Sequence, residues 1–197
     1  MYNMSVHSYK VSTMTYVCKF SKIIDTNAFY QVNVDKVIDR ELYIENKLKK
    51  TNKKGLPIKS FGNQITIKSH VKKYNIKLFS NGKIQMTGIK SLEDTEYIQR
   101  KLQLIFETDI IGMEMVMMNV TFKITEQPIH LYQLFDALSL QDLMVYYTPE
   151  IYPGLKLKYN KSTAMLFATG SIIISTKDKN DIEVITRILL ENYLKIA

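Results

Sequence analysis

The sequence predicts an α+β domain with one long antiparallel sheet, helices on one face of the sheet and the other face open. The order strand, helix, several strands, helix can be followed twice along the chain. The stretch 75–88 recurs loosely as 163–176, and each copy has a strand, a Gly turn and a strand, then a helix-period segment. This internal repeat predicts a pseudo-two-fold domain, with a first repeat over residues 1–107 and a second over 108–197.

The first repeat opens with a strand and a helix. Residues 11–20 alternate loosely and are rich in Val, Thr and Tyr, which favours a strand. Asp25 starts a helix whose apolar positions follow at helical spacing. Residues 35–58 have no clean period and carry a Lys-rich end, which predicts an exposed insertion. A solvated loop, a nuclear-import signal and a phosphate-contacting arm all remain open for it.

A hairpin and a capped helix complete the first repeat. Asn81-Gly82 is a turn signal between strands over 75–79 and 83–87, because both residue types tolerate positive φ. A further strand over 64–69 precedes them. Ser91 is the expected N-cap of a helix that runs to Phe106, and Asp94 completes a capping-box pattern.

The second repeat follows the same order. Its elements are a strand over 115–125, a helix over 132–143, a turn-rich corner over 149–154, strands through Ser175 and a helix over 178–196.

Basic residues are concentrated in the first repeat. Residues 1–107 carry 19 Lys and Arg against 9 Asp and Glu, whereas residues 108–197 carry 8 against 10. This asymmetry favours a polyanionic partner for one half, with DNA the first candidate. A Lys-rich composition is also typical of an AT-rich genome, so the charge alone does not decide the matter.

Catalytic and membrane functions have no support in the sequence. His7, His70 and His130 lack metal-ligand spacing, and Cys18 stands alone, which predicts a buried or half-buried structural thiol. With seven glycines there is no Gly-rich phosphate cradle. We therefore expect no enzyme, no cofactor and no small-molecule substrate. The apolar runs are too short to span a bilayer and residues 1–12 lack a secretory signal, so we expect no membrane partner and an intracellular location.

Four segments resemble the TATA-binding protein (TBP) family. Residues 79–90 are similar to the hairpin motif of that family's first repeat, and residues 147–155 to the stirrup of its second repeat. Residues 11–13 resemble its first strand, and residues 167–170 are a weaker second copy of the hairpin turn. The resemblance spans nearly the whole chain, apart from extra residues between Asp25 and Phe61. It implies a saddle of ten strands, with helices on the convex face and duplex DNA under the concave face.

The resemblance also implies aromatic wedges that enter the DNA minor groove and kink the duplex; TBP is the standard example of this mode of binding. The matching positions are Phe61 with Phe79, and Tyr152 with Phe167. The alternative is that all four rings are core residues. Side-chain alternation favours exposure of Phe79 and Phe167, because the preceding leucines point to the opposite face.

Further contacts follow by matched position. The expected groove-facing residues are Tyr9, Val11, Gln85, Thr87, Met118, Asn119, Val120, Ile173 and Ser175. The expected phosphate-contacting residues are Lys83, Lys90, Lys158 and Lys177, whose alternative interpretation is ordinary solvated lysine. Glu150 and Ile151 match positions that contact transcription factor IIB.

The chain departs from the family at the centre of the DNA site. An ungapped alignment puts Tyr9 and Met118 where the family has paired Asn residues, and a one-residue shift offers Asn119 in the second copy only. Lys77 replaces Leu, Ser171 replaces Lys and Tyr152 replaces Phe. These changes favour a divergent member, from a large DNA virus or a fast-evolving eukaryote.

The leading hypothesis is a general transcription initiation factor that binds and bends AT-rich promoter DNA and recruits a IIB-like factor, other initiation factors and RNA polymerase. It would act in a nucleus, or in a cytoplasmic viral factory if viral. The alternative is a TBP-like adaptor that keeps partner docking but has lost DNA bending. An accessory domain of a nucleic-acid enzyme is disfavoured, since the chain has no room for a catalytic domain.

Overall fold

The computed structural model describes residues 9–33, 38, 41–45 and 64–196. Ten strands and four helices lie within this part of the chain. In order they are β1 (Lys10–Phe20), α1 (Thr26–Asn33), β2 (Leu42–Ile44), β3 (Gln64–Ser69), β4 (Asn75–Phe79), β5 (Lys83–Ile89), α2 (Leu92–Phe106), β6 (Ile110–Lys123), α3 (Leu131–Ser139), β7 (Met144–Tyr146), β8 (Leu155–Tyr159), β9 (Ser162–Leu166), β10 (Ser171–Thr176) and α4 (Lys179–Ile196). The strand order is β2-β3-β4-β5-β1-β6-β10-β9-β8-β7, and the paired strands run antiparallel. The predicted α+β class and antiparallel sheet are confirmed.

The chain divides into two compact units. The first unit is Met14–Val116, and the second unit is Met1–Thr13 together with Met117–Ala197. The predicted repeat boundary after residue 107 concerns the sequence repeat and stays a prediction. No helix in the described residues is long and apolar enough to cross a bilayer.

The core of the first unit lies between its strands and helix α2. Every second residue of β4 and of the first part of β5 is buried, because side chains alternate between the two faces of a strand, and β3 buries Ile65 and Ile67 on the same side. Ile98 and Leu102 of α2 are fully buried in the same hydrophobic cluster. Phe106 of α2 also packs there, with its ring in contact with the ring of Phe29 of α1. The opposite face of these strands carries the partly exposed residues.

The second unit has the same construction. Alternate residues of β8, β9 and β10 are buried, and so are Leu134 and Leu138 of α3. Helix α4 buries Ile182, Ile185 and Leu189 on one side. Helix α3 packs against α4 and β7, and α4 packs against β10.

The two copies share a hydrogen-bonded turn. The Gly82 N–H donates to the Phe79 carbonyl and the Gly170 N–H donates to the Phe167 carbonyl, each at 2.9 Å. Gly170 has φ +77°, and an added Cβ would lie 2.1 Å from the Thr125 carbonyl oxygen, so only glycine fits. The internal repeat seen in the sequence is therefore a repeat of backbone geometry.

A buried aspartate anchors the first turn of α2. Ser91 caps the helix as predicted, with its Oγ accepting from the Asp94 N–H at 3.2 Å. The reciprocal capping-box bond is not formed, because the Asp94 carboxylate instead accepts from the Lys90 N–H, the Tyr74 hydroxyl and Lys72 Nζ. Burial alone would raise the pKa of Asp94, but these hydrogen bonds outweigh it and lower the pKa from 3.8 to about 2.

Helix α4 has an equivalent buried carboxylate. Asp181, also buried in a first helical turn, accepts from Ser162 Oγ at 2.6 Å and from Asn160 Nδ2 at 2.9 Å. In both units a helix is therefore tied to the neighbouring strands through one carboxylate.

Two expected element boundaries were wrong, and two short strands were missed. Helix α3 ends at Ser139 and does not reach residue 143, because Asp142 adopts φ +55° in the turn that follows. Strand β6 begins at Ile110, five residues before the expected start, in a segment interrupted by Gly112 at φ +68°. Strands β2 and β7 have three residues each and were missed, because so short a strand shows no alternation in the sequence.

We predict that Asp94→Asn lowers the free energy of unfolding at pH 7 by about 1–3 kcal/mol, because it removes a buried charge that satisfies three donors. A lowered folded-state pKa stabilises the fold above the unfolded pKa, and this contribution is lost as pH falls from about 4 to about 2. Urea unfolding at pH 7 and pH 2.5 measures it. The difference between variant and wild type should shrink at the lower pH, and exposed Glu93→Gln in the same turn is the control. A difference that does not change with pH would contradict the assignment.

Candidate nucleic-acid interface

The open face of a unit is defined here as the sheet face opposite its helices. In the first unit this face is formed by Val17, Lys19, Lys77, Phe79, Lys83, Gln85 and Thr87. Ile76 and Leu78 are fully buried, whereas their neighbours Lys77 and Phe79 remain partly exposed. The alternation expected for Phe79 is thus present, and its ring stands at the end of β4 on the open face.

Phe79 borders a hollow on this face. The hollow has a volume of about 360 Å³, and its lining includes Val17, Lys19, Lys83 and Gln85. An apolar floor with two ammonium groups suits a ligand that combines flat rings with negative charge, which is the chemistry of a nucleic acid.

The second unit presents an aromatic pair. Tyr152 is 42% exposed, and its ring meets that of Phe167 edge-on, with the ring centroids 6.0 Å apart. Both rings lie against Gly154, where an added Cβ would come within 2.8 Å of the Tyr152 ring and 3.1 Å of the Phe167 ring. The glycine of the stirrup therefore makes room for the two residues that the sequence nominated as one wedge pair.

The expected lysines have different surroundings. Lys83 and Lys90 are exposed at the two ends of β5. Lys158 Nζ lies over the Tyr146 ring, 5.7 Å from its centroid. Exposed Lys177 follows β10 and borders an open hollow of about 810 Å³ with Asp178 and Asp181.

Two residues that were expected to face the DNA groove are instead buried, so their prediction is wrong. Met118 is 1% exposed and Val120 is fully buried, so both lie in the core of the second unit. Because alternate residues point to opposite faces, the partly exposed Asn119 and Thr121 lie on the other face of this strand. Asn119 also pairs with Ser175, and Thr121 with Ile173, both of which are partly exposed as predicted.

The strand register gives the correct equivalence of the copies. Cys18 pairs with Ile84, and Phe122 pairs with Ile172, so Phe122 is the counterpart of Cys18. Counting back along β6 makes Met115 the counterpart of Val11 and Met113 the counterpart of Tyr9. All four of these residues are partly exposed. Sequence reasoning missed the two methionines because it aligned the copies without the register.

Asn119 is the centre of an amide–hydroxyl cluster on the open face of the second unit. Its Nδ2 donates to Thr13 Oγ1 at 3.0 Å, and its Oδ1 accepts from Ser175 Oγ at 2.5 Å. Beside it, the Ser12 and Thr121 hydroxyls share a hydrogen bond of 2.8 Å. Ser12, Thr13 and Thr121 were not expected as site residues, since only the register brings them together.

The remaining residues expected at the site fall into three groups. Glu150 and Ile151 lie in the turn before β8, where the Ile151 and Tyr152 N–H groups donate to the Thr148 carbonyl. Ile151 is 84% exposed. Phe61, and nearly all of the Lys-rich stretch 35–58, lie outside the described residues. In the first unit, Gln85 and Thr87 are partly exposed as expected, and the Thr87 hydroxyl donates to the Asn75 carbonyl at 3.2 Å.

Cys18 is a buried thiol, as predicted. It is 5% exposed, and burial raises its pKa to about 12, so it stays protonated at neutral pH. Within the described ranges, no three His, Cys, Asp or Glu side chains lie close enough together to hold a metal ion.

Comparison with known proteins finds a curated relative and solved structures of similar fold. No family model matches the chain. A curated protein from Acanthamoeba polyphaga mimivirus is described as "TATA-box-binding protein-like". It is 28% identical over an alignment of 221 positions that covers 86% of this chain and 60% of that protein. The chain thus spans less than two thirds of that relative. The solved structure of Methanococcus jannaschii TBP matches with a TM-score of 0.66 at 20% identity, over 95% of this chain and 99% of that one.

The fold therefore belongs to the TBP class, a repeated strand–helix–strand architecture with open sheet faces. The relative that shares 28% identity with the chain is described as TBP-like and comes from a virus.

We predict that Gly154→Ala separates the Tyr152 and Phe167 rings, because the new methyl group would occupy the space that both rings border. Aromatic NMR should show loss of the cross-ring contact while the rest of the core keeps its chemical shifts. Tyr152→Phe, which keeps the ring and removes only the hydroxyl, is the matched control. Unchanged contact between the rings in Gly154→Ala would contradict the packing described.

Proposed function

We propose that this protein is a general transcription initiation factor, without enzymatic activity, that binds and bends AT-rich promoter DNA through the minor groove. The observation that carries the proposal is the exposed Tyr152–Phe167 pair seated on Gly154, with Phe79 at the matching position of the other copy. A flat apolar ring can replace base stacking at a kinked step.

The composition of the open faces supports binding in the minor groove of DNA. Residues such as Val17, Thr87, Ile173 and Ser175 are small or apolar and leave room for close approach to the duplex. The groove of A·T pairs offers only acceptors, which suits hydroxyl and amide donors. The lysines would add phosphate contacts and a salt-dependent part of the affinity.

Partner recruitment is the second part of the proposal. The stirrup turn exposes Glu150 and Ile151 at the positions that resemble the IIB contact, and the apolar Ile151 side chain is 84% exposed. We propose that a IIB-like factor docks here, and that the protein works in a nucleus or a cytoplasmic viral factory.

An adaptor without DNA bending is the second candidate. One observation favours it: the counterpart positions that carry paired Asn residues in the family are occupied here by Tyr9 and Met113. The same exposed Ile151 serves either function, so DNA bending is the property that separates them.

We predict that an AT-rich duplex labelled at both ends shows increased end-to-end energy transfer on binding, and that a GC-rich duplex does not. The double variant Phe79→Ala/Phe167→Ala should abolish the change, because it removes one ring from each wedge. Tyr132→Ala is the control, since this ring is 59% exposed on α3, on the helix side. Weak binding that depends neither on base composition nor on the Phe79 and Phe167 rings would contradict the bending mechanism. The adaptor function would then be favoured.

We predict that Ile151→Asp prevents a IIB-like factor from joining the protein–DNA complex and leaves DNA affinity within a few-fold of wild type. The substitution places a charge where the proposed partner buries an apolar side chain. Native gel shifts with and without the factor measure this. Leu140→Asp, at an exposed leucine beyond α3, is the matched control. Recruitment that survives Ile151→Asp would rule out this docking position.

A further inference from the structure

Among the described residues of the first unit, the amide–hydroxyl cluster around Asn119 has no equivalent at the matched positions. By strand register, the counterpart of Asn119 is Thr15, that of Thr121 is Val17 and that of Ser175 is Thr87. Thr15 is 6% exposed and Val17 has no hydrogen-bonding group. The Thr87 hydroxyl is engaged with the Asn75 carbonyl of the next strand.

Gln85 does not provide an amide at the position equivalent to Asn119. It is the counterpart of Ile173, two residues nearer to the Gly turn, and it lines the hollow beside Phe79. The two open faces therefore differ in where they place an amide.

Asn119 is held in one orientation. Ser175 fixes its Oδ1 and Thr13 accepts one Nδ2 hydrogen, which leaves the second Nδ2 hydrogen on the partly exposed side of the strand. A donor fixed in this way matches the acceptors N3 of adenine and O2 of thymine. The 2-amino group of guanine, itself a donor, opposes it.

We propose that Asn119 is a specificity-determining residue that reads one half of the DNA site, so that the protein binds an asymmetric A·T-rich duplex in one preferred orientation. The inference rests on the proposed function, because it needs the open faces to meet the minor groove. The half-site under the Asn119 cluster must be A·T, whereas the other half tolerates a G·C pair at the equivalent step.

The experiment uses an A·T-rich duplex with a single G·C pair placed off centre. Because Cys18 is the one cysteine and is buried, a cysteine introduced at exposed Thr169, in the β9–β10 turn, can be labelled selectively with a DNA-cleaving iron chelate. The label should cut mainly at the end of the unsubstituted half. A reciprocal label at Asn81→Cys, in the equivalent turn of the first unit, should cut at the opposite end.

Asn119→Thr installs the counterpart residue. We expect cleavage at both ends to become nearly equal, and affinity for the preferred orientation to fall about 2- to 10-fold, as for the loss of one hydrogen bond. Ser175→Ala, which frees the Asn119 amide without removing it, should weaken the preference in the same direction. Asn180→Thr, the same substitution at an exposed position of α4, is the control and should behave as wild type.

The outcomes separate this inference from the proposed function. Equal cleavage at both ends by the wild-type protein, with bending retained, would overturn the inference alone. A preference that persists in both Asn119→Thr and Ser175→Ala would also overturn it. Failure of the wild type to bend any A·T-rich duplex would instead overturn the proposed function, and the inference with it.

Discussion

Side-chain alternation along the strands is the constraint on which the rest of the structure depends. In each unit, one set of alternate residues, such as Ile76 with Leu78 and Ala164 with Leu166, is buried under helices. The other set is thereby directed to the opposite face, away from the described helices. A shift of one residue would exchange core and surface along the whole strand. The face on which each candidate DNA contact within a strand lies therefore follows from the packing of the core.

The carboxylates of Asp94 and Asp181 fix this packing at equivalent places. Each lies in the first turn of a helix and binds side chains of the neighbouring strand segment. An anion is also favoured at a helix N-terminus, where the free N–H groups carry partial positive charge. Because an equivalent buried carboxylate fixes the helix packing in both units, the residues of the open faces can differ between the two copies.

The sequence predicted much of this arrangement, and its failures have physical causes. The Gly turns and the caps of α1 and α2 were recognisable because turn and cap chemistry is local, as in Asn81-Gly82, Asp25 and Ser91. Phe79 and Phe167 could be placed by alternation from one adjacent leucine. Met118 and Val120 were misplaced, because register is set by pairing with β10, which the sequence does not display. Ser12 and Thr13 lie more than one hundred positions before their partners Thr121 and Asn119, so no local pattern could join them.

The central claim is that the open faces meet the minor groove of A·T-rich DNA. The most direct test replaces the A·T pairs of a bound duplex with inosine·cytosine pairs, which present the minor groove of A·T and the major groove of G·C. The account predicts that affinity and bending stay within a few-fold of the A·T duplex. If the inosine duplex instead behaves like the G·C duplex, the protein does not read DNA through the minor groove, and the account is contradicted.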